Sequence, residues 1–214
     1  RLLTGHSQKS WLITGVRAVA FSADGEILAT GGSDKVVKLW NTKTWQEICT
    51  LTGYPDAITS LSFSPFNQTL ISAASSTIKL SELEGNEETI LTAPAPLGLV
   101  TFSTQGQIFI SYGGKIGFSS GMIKTWKDVV VEKLHPEEIK AVTFSPNGQF
   151  FATGGYDKII KLWSTNTRQL ISTFIGHSDA IYSLAFCPDS SILASGSADK
   201  TIRLWKVPII SPDN

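Results

Sequence analysis

The sequence predicts an all-β fold built from a repeated unit of four short antiparallel strands. Three observations carry this prediction: an internal repeat of about 40 residues, short runs in which apolar and polar residues alternate, and the absence of any long helical period. The composition agrees with it, because 18 glycines and 9 prolines suit tight turns and 42% hydrophobic residues provide for a core.

The repeat is visible in five segments that share one sequence motif. They read VRAVAFSADG (16–25), ITSLSFSPFN (58–67), LVTFSTQG (99–106), IKAVTFSPNG (139–148) and IYSLAFCPDS (181–190). Their anchor phenylalanines, at spacings of 42, 39, 42 and 42 residues, are Phe21, Phe63, Phe102, Phe144 and Phe186. In repeats one, four and five a second shared motif ends in a tryptophan, which lies 19 residues after the anchor phenylalanine.

Each unit divides into four strands. In repeat five, Ile181–Phe186 alternates apolar and polar side chains, Ile192–Gly196 follows a turn, and Thr201–Lys206 follows a second turn. A fourth apolar strand, such as Leu170–Phe174, precedes the next unit. Four short strands in about 40 residues are typical of a propeller blade. We therefore predict a β-propeller of four-stranded antiparallel blades, as a single domain over residues 1–214 that can form part of a longer chain.

The repeats also resemble a known family. The segment FIGHSDAIYSLAFCPDSSILASGSADKTIRLW (174–205) is similar to a near-consensus WD repeat, with Gly176-His177 opening it and Leu204-Trp205 closing it. The chain thus resembles the WD-repeat (WD-40 type) β-propeller family, and its near-consensus repeats resemble bacterial members. Repeat two departs from the pattern with Tyr54 in place of histidine and Ser81 in place of tryptophan. Repeat three lacks the Gly-His pair.

The resemblance implies a structural network in each regular blade. A buried indole N–H needs an acceptor, and in the family a serine or threonine, the Gly-His histidine and a turn aspartate form a hydrogen-bonded chain with it. The implied residues are His177, Ser195, Asp199 and Trp205; His135, Thr153, Asp157 and Trp163; and Thr30, Asp34 and Trp40, where Gly5-His6 stands before an insertion. Repeats two and three lack the full set of network residues, so we expect their blades to be less stable.

Two kinds of chemistry compete with this structural interpretation. Ser195, His177 and Asp199 are the residue types of a hydrolase triad, but the set recurs with threonine for serine and no G-x-S-x-G segment surrounds Ser195. No metal-binding spacing and no phosphate-binding glycine motif is present. The sequence therefore predicts no catalytic residues, no metal site, no cofactor and no enzyme.

The net charge and the cysteine content indicate which partners and which compartment to expect. Eighteen basic and eighteen acidic residues cancel, so neither a nucleic acid nor a membrane is expected as a partner. Cys49 and Cys187 fall at unrelated repeat positions, and we interpret them as small buried hydrophobes in a reducing compartment. The expected location is cytoplasmic.

The resemblance also implies a protein partner on the top face of the disc, where the loops before the first strands and the turns after the second strands lie. Family partners engage residues three and five positions after the histidine and the residue before the turn aspartate. Tyrosine, tryptophan and arginine are enriched among such contacts. The candidate partner-binding residues are Trp11, Arg17, Glu138, Lys140, Tyr156 and Tyr182. The first hypothesis is a protein-interaction scaffold. The alternative is a sensor or targeting propeller of a larger signalling enzyme, such as a kinase or a nucleotide-hydrolysing protein.

One further expectation concerns the last blade. Only a short, proline-interrupted segment follows Trp205, whereas Leu2 and Leu3 read as a strand without a blade of its own. We predict that Leu2 and Leu3 pair as the outermost strand of the blade that contains Trp205. A chain cut between two repeats is the alternative.

Overall fold

The computed structural model describes residues 3–6, 15–85, 87–119 and 129–208, and in these ranges every regular element is a β-strand. The chain divides into two compact units, residues 1–112 with 116–132 and residues 113–115 with 133–214. The prediction of an all-β fold is confirmed. Because turn residues such as Pro and Gly separate strands of only four to six residues, each strand pairs antiparallel with the next strand of its own blade.

Within the described ranges, twelve strands precede residue 134 and form three four-stranded antiparallel sheets, each in sequential order. Blade one contains β1 (Val16–Phe21), β2 (Ile27–Gly32), β3 (Val37–Asn41) and β4 (Glu47–Leu51); blade two contains β5 (Ile58–Phe63), β6 (Thr69–Ala74), β7 (Thr77–Glu82) and β8 (Glu87–Thr92); blade three contains β9 (Leu99–Phe102), β10 (Ile108–Tyr112), β11 (Lys115–Ser119) and β12 (Val130–Lys133).

Two blades follow in the second unit. Blade four contains β13 (Ile139–Phe144), β14 (Phe150–Gly155), β15 (Ile159–Ser164) and β16 (Leu170–Ile175), and blade five contains β17 (Ile181–Phe186), β18 (Ile192–Ser197) and β19 (Ile202–Lys206). Within the described ranges blade five thus has three strands instead of the four expected. Leu3 lies in no strand, so the pairing predicted for it is absent, and Leu2 lies outside the described residues.

The strand registers align the repeats residue by residue. Trp163 pairs with Phe151 and Trp205 pairs with Leu193, while Ser81 of blade two pairs with Leu70. These residues hold the same position in the second and third strands of their blades. Ser81 therefore stands where the regular repeats have tryptophan, as the sequence alignment predicts.

The core runs between successive blades of each unit. Leu39 on the third strand of blade one packs with Ile58 and Phe63 of blade two, and Leu162 of blade four packs with Ile181 of blade five. The alternation of each strand places apolar side chains on both faces of a blade, and the neighbouring blade covers them. Burial is thus shared between adjacent repeats.

The expectation that both cysteines are buried is wrong. The Cys49 side chain is exposed on β4, the outermost strand of blade one, and Cys187 is half-exposed. Cys187 begins the turn after β17, where its sulfur lies 2.8 Å from Asp189 Oδ1. It replaces the serine that begins the equivalent turns, so turn chemistry explains this position better than packing does.

Candidate functional site

Blade four shows the complete hydrogen-bonded network. The indole N–H of Trp163 donates to Thr153 Oγ1 over 2.9 Å. His135 lies 2.7 Å from Thr153 Oγ1 through Nε2 and 2.7 Å from Asp157 Oδ2 through Nδ1. Because a carboxylate can only accept, Nδ1 carries the proton, and the Thr153 hydroxyl donates to the free Nε2. Every polar side chain of the blade-four network therefore has a hydrogen-bond partner.

Blades five and one repeat this geometry. Trp205 donates to Ser195 Oγ over 2.9 Å, and His177 joins Ser195 and Asp199 at 2.7 and 2.8 Å. In blade one, Thr30 Oγ1 lies 2.8 Å from both Trp40 Nε1 and His6 Nε2, and His6 Nδ1 lies 2.9 Å from Asp34 Oδ2. The six-residue insertion after His6 does not displace the histidine from its blade.

The geometry of blade five excludes a hydrolase triad formed by Ser195, His177 and Asp199. The Ser195 hydroxyl is buried, accepts the indole proton of Trp205 and contacts His177 on its other side. A hydrolase nucleophile must be exposed to its substrate beside donors for the oxyanion. An enclosed hydroxyl engaged on both sides meets neither requirement, so the arrangement can hold a tryptophan in place but cannot attack a carbonyl.

Blade two replaces the network with a different set. The Tyr54 hydroxyl lies 2.8 Å from Ser72 Oγ, and burial raises the Tyr54 pKa to about 12 although this hydrogen bond opposes the shift. The buried Lys79 ammonium lies 4.7 Å from the Tyr54 ring centre and donates to the Thr52 carbonyl over 2.8 Å. Tyr54 thus takes the place of the histidine, with its hydroxyl protonated.

The cation of the third strand lies beside the same glycine in blades one and two. A Cβ atom added to Gly5 of blade one would lie 2.9 Å from Trp40 Cη2 and 3.5 Å from the Lys38 side chain, and one added to Gly53 of blade two would lie 3.3 Å from Lys79 Nζ. Lys79 therefore holds in blade two the position that Lys38 holds in blade one, but without an indole next to it.

Sequence reasoning missed a basic position that recurs in this network. Each network hydroxyl on the second strand faces a cation on the third: Lys38, Lys79, Lys161 and Arg203 pair with Thr30, Ser72, Thr153 and Ser195. Lys161 donates to the Leu134 carbonyl over 2.6 Å and lies 5.8 Å from the Trp163 ring centre. The signal was available, because a basic residue stands two positions before the tryptophan or its replacement in four repeats.

The pKa of His135 is lowered from its usual value. Burial favours the neutral ring, and this effect outweighs the hydrogen bond and charge of Asp157, which act in the opposite direction. In blade five the pKa of Asp199 is lowered, chiefly by the hydrogen bond from Thr201 and also by His177. The neutral His135 assigned from hydrogen bonding agrees with its electrostatics.

This shift predicts a dependence of stability on pH. The unfolded chain takes up a proton at His135 near its ordinary pKa of 6.5, whereas the folded chain does so only at lower pH. The His135 contribution is therefore complete above pH 6.5 and decreases as the pH falls from there through the folded-state pKa. We expect the parent protein to lose more unfolding free energy than His135→Gln between pH 7 and about pH 5 in urea titrations. Equal losses in the two proteins would contradict this expectation. Asp199 has an ordinary pKa of 3.8, which is lowered further in the folded protein, so its protonation affects stability mainly below pH 5.

Three of the six predicted partner-binding residues share a backbone feature that the sequence did not reveal. Between Val16 and Ala18, between Ile139 and Ala141, and between Ile181 and Ser183 the first strand shifts register against the second. The residues left unpaired are Arg17, Lys140 and Tyr182. A β-bulge bends the strand and redirects the unpaired side chain. These three residues are therefore presented by fixed strand geometry and not by a mobile loop.

Four predicted residues form one cluster in the second unit, which we call the contact patch: Glu138, Lys140, Tyr156 and Tyr182. The two tyrosine rings meet edge to face, with 6.3 Å between their centres. Lys140 Nζ lies 4.8 Å from the Tyr156 ring centre and 2.8 Å from Glu138 Oε1. Both tyrosines are exposed, Tyr156 by 40% and Tyr182 by 54%.

The electrostatics of the contact patch follow from these contacts. Partial burial works against a charged Lys140, but the hydrogen bond and charge of Glu138 outweigh it and raise the lysine pKa. The pKa of Tyr182 is raised chiefly by its interaction with Tyr156. Lys140 is therefore charged and Tyr182 protonated near neutral pH. The patch offers two aromatic faces, phenol hydroxyls and one neutralised cation.

The remaining predicted residues belong to the first unit. Arg17 is exposed, and its Nε donates to Ser33 Oγ over 3.0 Å, so two candidate contact positions of repeat one touch each other. Trp11 lies outside the described residues. Among the residues with described positions, no group of histidine, cysteine and acidic side chains could hold a metal ion, and no helix could cross a membrane.

Comparison with known proteins agrees with this geometry. The family model "WD domain, G-beta repeat" matches residues 1–41, 45–80, 128–164 and 168–206, more than half of the chain. The chain belongs to the WD40 repeat family. The matched WD40 repeats are one, two, four and five, and the match to repeat two ends one residue before Ser81. Proteins of this family generally act as protein-interaction scaffolds.

Several curated WD40 relatives are similar over part of the chain. The protein is 38% identical to Protein tipD of Dictyostelium discoideum over 68 residues, 32% identical to Pre-mRNA-processing factor 19 homolog 2 of Arabidopsis thaliana over 117 residues, and 38% identical to Small ribosomal subunit protein RACK1 of Caenorhabditis elegans over 73 residues. The alignments cover 32%, 54% and 34% of this chain. They span only 10%, 21% and 22% of the relatives.

Proposed function

We propose that this WD40 protein is a protein-interaction scaffold that recognises its partner through the contact patch of Glu138, Lys140, Tyr156 and Tyr182. The observation that carries the proposal is the edge-to-face pair of exposed tyrosines joined to a lysine–glutamate pair. Tyrosine supplies a large apolar contact area with few rotatable bonds and keeps a hydroxyl for hydrogen bonding. Such side chains are common energetic centres of protein interfaces.

The contrast between blades supports the same proposal. The network positions repeat nearly the same residue types in blades one, four and five, whereas the bulge positions hold arginine, lysine and tyrosine. A shared framework with individually different outward residues fits a scaffold whose surface is adapted to one partner. The top face is proposed as the location of this surface, with Arg17 and Trp11 as further contact residues.

The test is the double substitution Tyr156→Ala with Tyr182→Ala. We expect it to weaken partner binding by tenfold or more, because central aromatic anchors contribute about 2 kcal/mol or more each. The partner is first identified by affinity capture and mass spectrometry, and its dissociation constant is then measured by calorimetry. Both rings are exposed, so the melting temperature should change little.

A matched control is available on β16 of the same unit. Leu170 and Ile175 are exposed by 48% and 74% and lie outside the contact patch. Replacing both by alanine should leave partner affinity unchanged. Equal binding by the parent and the tyrosine variant would overturn the proposal, and unfolding of that variant would show the tyrosines to be part of the core.

Several coarser expectations accompany this proposal. We propose that the chain is not itself an enzyme, works in the cytoplasm, binds neither nucleic acid nor membrane, and is a bacterial-type member because three repeats are close to consensus. The alternative, a sensor or targeting propeller of a larger signalling enzyme, stays a prediction. The length of the native polypeptide tests it.

A further inference from the structure

A cavity of about 330 Å³ lies between blades four and five, at the strand ends opposite to the contact patch. Three segments form its wall: the turn between β13 and β14, the turn between β17 and β18, and the residues at the end of β19. Cavities of this size hold small organic molecules. The polar side chains in the wall are those of Asn147, Gln149, Asp189, Ser190, Ser191 and Lys206, and the apolar ones include Phe150 and Val207.

The cavity follows from a short side chain in the turn between β17 and β18. In the first unit, Gln68 reaches from blade two to Asp24 of blade one, with 3.5 Å between Nε2 and Oδ2. The same two turn positions in blades four and five are held by Asn147 and Ser191. Because serine is shorter than glutamine, the space that Gln68 spans in the first unit stays open in the second.

Asp189 uses only one of its carboxylate oxygens to hold its turn. Its Oδ1 atom accepts hydrogen bonds from Cys187 Sγ over 2.8 Å and from the backbone N–H and the hydroxyl of Ser191 over 3.0 and 2.7 Å. These hydrogen bonds, chiefly the one from Cys187, lower the Asp189 pKa to about 2, so the carboxyl group is ionised near neutral pH. The second oxygen, Oδ2, is left for a ligand.

Lys206 supplies a positive charge to the same wall. Its ammonium group forms no hydrogen bond or ion pair with any residue that the structure describes, and neither does Asp189 Oδ2. An ammonium group can only donate hydrogen bonds and a carboxylate can only accept them. The cavity therefore presents one unpaired cation and one unpaired anion, which a ligand neutralises together only if it carries both charges.

We propose that this cavity binds a small zwitterion of the α-amino-acid type, with its carboxylate at Lys206 and its ammonium group at Asp189. Charge-assisted hydrogen bonds are about twice as strong as neutral ones, so the two charges favour a zwitterion over a neutral polyol. The buried side chains of Phe150 and Val207 give the carbon skeleton of the ligand an apolar contact. This site is separate from the contact patch and goes beyond the proposed scaffold function.

The test compares three related probes in nuclear magnetic resonance titrations of the full chain near neutral pH. L-leucine carries both charges, L-leucinamide keeps only the ammonium group, and N-acetyl-L-leucine keeps only the carboxylate. We expect leucine to shift the backbone amide signals of residues 147–150 and 189–191. It should bind about tenfold more tightly than either derivative, because each derivative loses one hydrogen bond between charged groups.

Two substitutions assign the charges of the probe to the two side chains. Lys206→Met should weaken leucine binding about tenfold and leave leucinamide binding unchanged, because leucinamide has no carboxylate. Asp189→Asn should weaken leucine binding about tenfold and leave N-acetylleucine binding unchanged, because N-acetylleucine has no ammonium group. Asparagine keeps the turn intact, since Asn147 Oδ1 accepts the equivalent hydrogen bonds from Ser145 Oγ and Gln149 N over 2.6 and 3.0 Å.

Controls separate this cavity from other surfaces of the chain. Lys158→Met changes an exposed lysine at the opposite strand ends and should bind leucine like the parent. Tyr156→Ala with Tyr182→Ala should also bind leucine like the parent, which distinguishes this site from the contact patch. The amide spectrum of each variant reports its folding, and Lys206→Gln replaces Lys206→Met if that variant unfolds. The proposal is overturned if leucine causes no saturable shifts, if either derivative binds as tightly as leucine, or if both cavity variants bind leucine like the parent.

Discussion

Replacing Trp163 by alanine is expected to lower the free energy of unfolding by about 3–5 kcal/mol, the usual cost of removing a large buried aromatic side chain. The Trp163 ring is buried and stacks on Phe151, with 6.1 Å between ring centres and 12° between planes. Its N–H donates to Thr153. The substitution leaves a cavity beside a fully buried phenylalanine. A urea or guanidinium titration measures the loss.

Ser81 is the matched control for Trp163, because the strand registers give it the same position in blade two. Its buried hydroxyl has no hydrogen-bond partner. Ser81→Ala removes an unsatisfied polar group and should leave stability unchanged or slightly higher. Equal losses for Trp163→Ala and Ser81→Ala would mean that the assignment of tryptophan and serine to one repeat position is wrong.

Thr153→Val is expected to destabilise the protein by about 2–6 kcal/mol, because it leaves two buried groups unsatisfied at about 1–3 kcal/mol each. Valine has the shape of threonine, so no cavity forms. The variant loses the acceptor of the Trp163 N–H and the donor to His135 Nε2. The loss therefore measures hydrogen bonding separately from packing. Denaturant titrations at pH 7.5 keep His135 neutral in both states.

The control for this substitution is Thr173→Val on β16, where the side chain is exposed. Valine favours strands about as well as threonine does, so the change should be within half a kcal/mol. A Thr153→Val variant as stable as the parent would indicate that the network is incidental to stability. His135→Gln would then also leave the free energy of unfolding unchanged, and the pH dependence expected above would have another source.

The periodic features of this protein were accessible from the sequence because each repeat encodes them locally. Alternating apolar residues specify the strands, and turn residues such as Asp199-Lys200 specify the hairpins between them. The recurrence of Phe and Trp at a common spacing predicted which residues meet, and Trp205, Ser195, His177 and Asp199 do meet. The alignment could also identify Ser81 as the tryptophan replacement.

Exceptions to the pattern needed the tertiary structure. The alignment placed Ser81 at the tryptophan position of blade two but did not show what surrounds the glycine that an indole covers in blade one. The structure places the buried Lys79 there, 4.7 Å from the Tyr54 ring centre and with its ammonium beside Gly53. Cys49 was expected inside, since cysteine is commonly buried, but the outermost strand of blade one has no further strand to cover it.

The sequence by itself determined the repeat, the strand pattern and the polar residues that hold each tryptophan, because all of these depend on spacing within about 40 residues. Only the tertiary structure decided which surface residues act together. Tyr156 and Tyr182 lie in different blades and touch because β13 and β17 pack side by side, while a bulge redirects Tyr182. Contact between blades depends on what lies opposite a strand in space, and spacing along the chain carries no record of it.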